Sequence, residues 1–105
     1  MFDYPKWRAW LNVKSDELRT EDITVKFQSG PDDGPKPGMS LGLVGNCAMA
    51  VFENWITGET DYTIEKPPSP SAKMVAHKWG ALVTDETFET TFNEFIAAFR
   101  QANSN

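Results

Sequence analysis

The chain has 105 residues, 40% of them hydrophobic, with fifteen acidic residues against ten basic ones and a formal net charge of -5. That length suits one domain with one modest core, expected to take in residues 1–105. The hydrophobic content excludes disorder over most of the length, and the acidic balance disfavours direct nucleic-acid binding, which needs positive charge against phosphate.

An acidic surface serves solubility, or a basic protein partner. Cys47 is the single cysteine, so neither an intrachain disulfide nor a thiolate metal cluster can form. This is compatible with a reducing compartment. The opening MFDYPKWRAW lacks the apolar core of a signal peptide. No stretch approaches the roughly 20 apolar residues that span a bilayer. The expectation is a soluble cytoplasmic protein without membrane contact.

Asp3 is placed to cap a helix, with Pro5 in the first turn, where a missing N–H does no harm. Trp7, Leu11 and Leu18 share a helical face, with Tyr4 above them and Trp10 widening it. A helix is predicted over residues 4–19. Ile23, Val25 and Phe27 then alternate with polar residues, the period of a half-buried strand. Residues 29–38, SGPDDGPKPG, hold three prolines and three glycines, so they form a loop. That loop carries Asp32 and Asp33.

Residues 39–55 are the most strand-like. Leu41, Leu43, Cys47, Met49 and Val51 fall on one parity, and Val44, Ala48, Ala50 and Phe52 on the other. A turn at Gly45-Asn46 splits the run. Both faces of the second strand are apolar, which suggests a central place in the sheet. After a tight turn at residues 56–59, the run TDYTIE pairs back as an antiparallel hairpin, residues 48–55 against 60–65. KPPSPS at residues 66–71 interrupts the ladder. KMVAHKW at residues 73–79 reads as one more strand, with Val75, His77 and Trp79 on one face. Gly80 to Val83 lead into the last element.

That element is the most one-sided of the chain. Phe88, Phe92, Phe95, Ile96 and Phe99 recur at helical spacing over residues 84–101. Thr84 is placed to cap it, with Asp85 and Glu86 in its first turn and Arg100 near its end. Helices at both ends of an antiparallel sheet of four to five strands predict a two-layer α+β fold.

Residues for chemistry are sparse. His77 is the only histidine, and nothing in the spacing places it beside Cys47. A Cys/His nucleophilic pair is one reading; a buried apolar-like cysteine and a structural histidine is the plainer one. Asp32-Asp33 lacks the alternating oxygen ligands of a calcium loop. The glycines form no phosphate-binding fingerprint. No catalytic, cofactor-binding or metal-ligating residue is assigned. The tryptophans read first as core, Trp55 and Trp79 as lids at strand ends; aromatic residues are also enriched in interface hot spots.

The run AMAVFENWITGETDYTIE resembles the TriTu immunity family of bacterial polymorphic-toxin systems. Val51, Trp55, Gly58, Asp61 and Ile64 fill that family's strand, tryptophan, glycine turn and acidic second strand. TFETTFNEFIAAF resembles its closing helix, and YPKWRAWL its first. The turn between Trp55 and Gly58 is looser than the pattern, and the Pro-rich segment at residues 66–71 departs from it. The resemblance implies a non-catalytic protein that binds a cognate toxin and blocks it inside the cell. Toxins of such systems are delivered by contact-dependent or type VI secretion, and many are nucleases. A basic toxin partner fits the charge of this chain.

The expected contact residues are Glu53, Glu59 and Asp61 of the hairpin and Asp32 and Asp33 of the loop, chosen for charge and exposure. Two other readings stay open: a chaperone or adaptor for a secreted effector, and a small enzyme using Cys47 or His77.

Overall fold

The computed structural model describes residues 2–30, 37–66 and 73–104. In chain order the elements are α1 (Tyr4–Leu18), β1 (Thr24–Ser29), β2 (Gly38–Val44), β3 (Met49–Trp55), β4 (Glu59–Lys66), β5 (Lys73–Leu82) and α2 (Phe88–Asn103). The strands form one antiparallel sheet in sequence order, β1-β2-β3-β4-β5. The fold is α+β, as its sequence predicts.

Helix α1 starts where its sequence says. The Asp3 carboxylate accepts from the Lys6 N–H at 3.2 Å, and Pro5 sits in the first turn. Tyr4, Trp7, Leu11, Ser15 and Leu18 are its buried stripe. The sheet side of the core is supplied by alternation. Leu41 and Leu43 of β2, Ala50 and Phe52 of β3, and Tyr62 and Ile64 of β4 are buried. In register, Leu41 lies opposite Phe52, and Phe52 opposite Tyr62. Strand β3 is central, as its two apolar faces suggest.

Phe52 is the meeting point of the layers. Its ring lies 5.3 Å from Phe92, 5.3 Å from Phe95 and 5.8 Å from Phe88 of α2. Trp7 of α1 stacks on Phe88 at 4.6 Å, and Trp10 meets Phe92 edge-on at 5.4 Å. Each such ring, fully buried, contributes on the order of 2–3 kcal/mol. Both helices therefore cover the same face of the sheet.

Three local expectations change. First, Cys47 does not continue the parity of Leu41 and Leu43. The turn closes with the Gly45 N–H on the Ala48 carbonyl at 2.8 Å, and Val44 then faces Met49. Met49 and Val51 consequently point away from the helices. Second, β5 runs on through Gly80 and Ala81 to Leu82. Gly80 has φ +69, which a residue with a Cβ adopts only at a cost, and the ladder is irregular opposite Asp61. Third, α2 begins at Phe88, not Thr84. Residues 84–87 form a separate turn, in which the Thr84 N–H donates to the Thr87 hydroxyl at 2.8 Å. Glu89, not Asp85 or Glu86, is the acid of the first helical turn.

Asp85 has another task. Its carboxylate accepts from the Asp3 N–H at 2.8 Å and from the Trp7 indole at 2.9 Å. It ties the start of α1 to the approach of α2.

Candidate functional site

With both helices on one side, no element among the described residues covers the other side of the sheet. Cross-strand register orders its surface into rows. One row reads Lys26, Gly42, Val51, Thr63 and His77. The row beside it reads Thr24, Val44, Met49, Glu65 and Met74. On the other side come Gln28, Ser40, Glu53 and Asp61.

A solvated antiparallel face is ordinarily polar. This one is not. Val44, Met49, Val51, Met74 and Trp79 are all exposed there, Val51 by 40% and Trp79 by 60%. Exposed apolar side chains gathered in this number on one face mark contact surfaces rather than plain solvent-facing sheet. Its charged neighbours are mostly acidic: Glu53, Asp61 and Glu65 against Lys26 on the β1 edge.

The expected contact residues divide accordingly. Glu53 and Asp61 are direct cross-strand partners on this face. The Asp61 carboxylate accepts from the Gly80 N–H at 2.6 Å, so it also holds the irregular part of β5. Glu59 opens β4 beside the hairpin turn, where its carboxylate accepts from the Thr57 hydroxyl at 3.3 Å. It therefore lies at the margin of the face. Asp32 and Asp33 lie outside the described residues.

Trp79 is not a core lid. Its ring lies 4.4 Å from His77 on the open face of β5. Trp55 is half-buried, packed where a Cβ on Gly38 would come within 2.8 Å of its ring. Met49, Val51, Glu65 and Trp79 are members of the face that charge-based reasoning passed over. The signal was present: apolar residues on both parities of β3 require one apolar set to face outward if only one side is covered.

Cys47 and His77 are not brought together. The Cys47 N–H donates to the Asn103 side chain of α2 at 2.8 Å, whereas His77 packs on Trp79 across the sheet. Among the described residues, no three of His, Cys, Asp and Glu gather to hold a metal ion. Two carboxylates of the helix side have cationic partners: Glu94 pairs with Lys78 at 2.7 Å and Glu21 with Arg100 at 2.6 Å. The hydrogen bond from Lys78 to Glu94 raises the lysine pKa above its ordinary value, with burial opposing. Asp85 is pushed below the usual carboxylate value, first by the Asp3 N–H and then by the Trp7 indole.

These features define an open-faced two-layer α+β protein, helices on one side and an acid-flanked apolar sheet surface on the other. Residues 5–98 match the family model described as Immunity protein TriTu, and the chain belongs to that family of immunity proteins. No curated protein and no solved structure matches it. Among the described residues, no helix is long and apolar enough to cross a membrane.

Proposed function

We propose that this chain acts as one domain that binds a cognate bacterial toxin and neutralises it by occupying its working surface, without catalysis. The observation that carries this reading is the family membership over residues 5–98. The open sheet face, with its exposed apolar side chains and flanking carboxylates, supplies a surface suited to the task. The partner is a basic protein, for instance a nuclease, whose phosphate-binding surface an acidic inhibitor covers with fast, steered association. Glu53, Glu59 and Asp61 contribute to that steering, together with Asp32 and Asp33 of the β1–β2 connection. Nucleic acid and membrane are not partners, and the protein works in the cytoplasm. Delivery of the toxin by contact-dependent or type VI secretion belongs to the same reading.

The test is co-expression with the toxin encoded by the adjacent gene. Growth restored by this chain, with toxin activity lost at one equivalent in a titration, supports binding without turnover. Inhibition by far less than one equivalent overturns the non-catalytic part. An adjacent product that is harmless alone, but is not secreted without this chain, turns the reading into that of a chaperone.

A further inference from the structure

The open face has a depression at Gly42. Gly42 of β2 has no side chain, and its neighbours rise around the gap it leaves. Val44, Met49, Val51, Thr63 and Glu65 line it, with Leu43 and Ala50, as a shallow notch of about 130 Å³. Its lining is mostly aliphatic, with the Thr63 hydroxyl and the Glu65 carboxylate as its polar side-chain groups. Glu65 has no ion pair among the described residues. The notch thus offers apolar contact along its floor and an unneutralised negative charge at its end.

We infer that this notch is the socket for a single lysine or arginine side chain of the bound toxin. The statement rests on the proposed function. Long basic side chains have an aliphatic stem and a charged tip. Here the stem lies over Gly42 against Val44, Met49 and Val51, and the tip reaches the Glu65 carboxylate. The charge of the surroundings selects this occupant. Glu53, Asp61 and Glu65 outnumber Lys26 on the face, so a basic surface is attracted to it. A second copy of this chain, docked face to face, would set the same carboxylates against each other. A basic anchor whose contacts lose water when the toxin covers the notch is also the kind of contact that dominates binding energy in protein interfaces.

Gly42 makes the inference testable without loss of fold. Its φ is not in the left-handed region, and a Cβ there meets only the Lys26 carbonyl oxygen at 3.9 Å, an ordinary contact. Gly42→Val therefore fills the notch in a strand that favours β-branched residues. Glu65→Gln removes the charge and keeps the shape. Glu17→Gln, on α1, removes an equal charge from the helix layer and serves as control. The measurement is the Kd of each purified protein for the catalytically inactivated toxin domain of the adjacent gene, with thermal unfolding of each variant alongside.

The expected result is unchanged or raised thermal stability for Gly42→Val, with Kd weakened by at least ~10-fold for both Gly42→Val and Glu65→Gln and unaltered for Glu17→Gln. Tight binding by the wild-type chain that neither variant weakens overturns the socket and leaves the toxin-binding reading standing. Absence of wild-type binding overturns both. A wild-type dimer in solution that Gly42→Val converts to monomer assigns the face to a second copy and overturns the basic anchor. If Gly42→Val misfolds, Glu65→Gln decides alone.

Discussion

The indole Nε1 of Trp7 donates a 2.9 Å hydrogen bond to Oδ1 of Asp85, 78 residues later in the chain. The same carboxylate oxygen accepts the backbone N–H of Asp3, the residue that caps α1. One side chain thus satisfies an otherwise unpaired indole and fixes where the first helix begins. The cost is borne by α2, which cannot use Asp85 in its first turn and starts at Phe88. Trp7 then stacks on Phe88 itself, so the polar tie and the aromatic contact hold the same two elements.

Asp85 sets an acid dependence. Its folded pKa lies below the ordinary 3.8, so its contribution is fully present above that value and is lost as pH falls through the depressed one. Stability measured by denaturant titration is expected to drop below about pH 4. In Asp85→Asn it is lower at neutral pH and flatter in acid, and Trp7 fluorescence reports the loosened end of α1. Equal acid slopes for the two proteins would remove Asp85 from the account.

Phe92 is 1% exposed and touches Trp10, Phe52 and Phe95. Phe92→Ala leaves a cavity between both helices and the sheet. The expected loss is ~3–5 kcal/mol, read as a lower urea midpoint. This is a large part of the stability of a domain this size.

Two glycines with positive φ are expected to behave differently. At Gly58, φ is +92 and a Cβ would come within 2.6 Å of the Val83 carbonyl oxygen, a backbone atom that cannot swing aside. At Gly80, φ is +69 and nothing lies within 4 Å of an added Cβ. Gly80→Ala should cost about 1–2 kcal/mol, the left-handed strain alone. Gly58→Ala should cost clearly more, because the β3–β4 turn and the linker between β5 and α2 must separate. Thermal unfolding of the two proteins compares them directly.

Lys78 and Glu94 meet at 2.7 Å, but each side chain is more than a third exposed. Their bond contributes within ~0–1 kcal/mol. Because the lysine pKa is raised above 10.5, that contribution is complete below pH 10.5 and disappears as pH rises through the folded value. Glu94→Gln is expected to change neutral-pH stability little and to flatten the alkaline limb of a stability profile.

Glu53 lies on the open face opposite Asp61. Under the proposed function, Glu53→Lys slows association with the toxin about 10-fold at low ionic strength and weakens the salt dependence of the rate. Stopped-flow association at two salt concentrations checks it. A wild-type rate indifferent to salt removes steering by these carboxylates.

The candidate surface was only half legible in the sequence. Charge pointed to Glu53 and Asp61, which do share the open face, and to Glu59, which stands at its margin. Charge could not point to Gly42, whose part lies in lacking a side chain between Val44 and Val51. Nor could it place Trp79: an aromatic residue at a strand end reads as core until the position of the helices is known.

The sequence by itself determined the elements and their order. Helical spacing of Phe88, Phe92, Phe95 and Phe99, alternation in β1 and β4, and the turn residues at Gly45 and Gly58 are local properties, set by backbone period and steric freedom. It also carried enough of a pattern over most of its length to resemble the family to which it belongs. The tertiary structure alone decided which side of the sheet is covered. Both parities of β3 are apolar, so periodicity cannot choose between them. The choice falls to the closing geometry of residues 45–48 and to long-range contacts such as Phe52 with Phe92 and Trp7 with Asp85. Those contacts bury Ala50 and Phe52 and leave Met49 and Val51 facing outward.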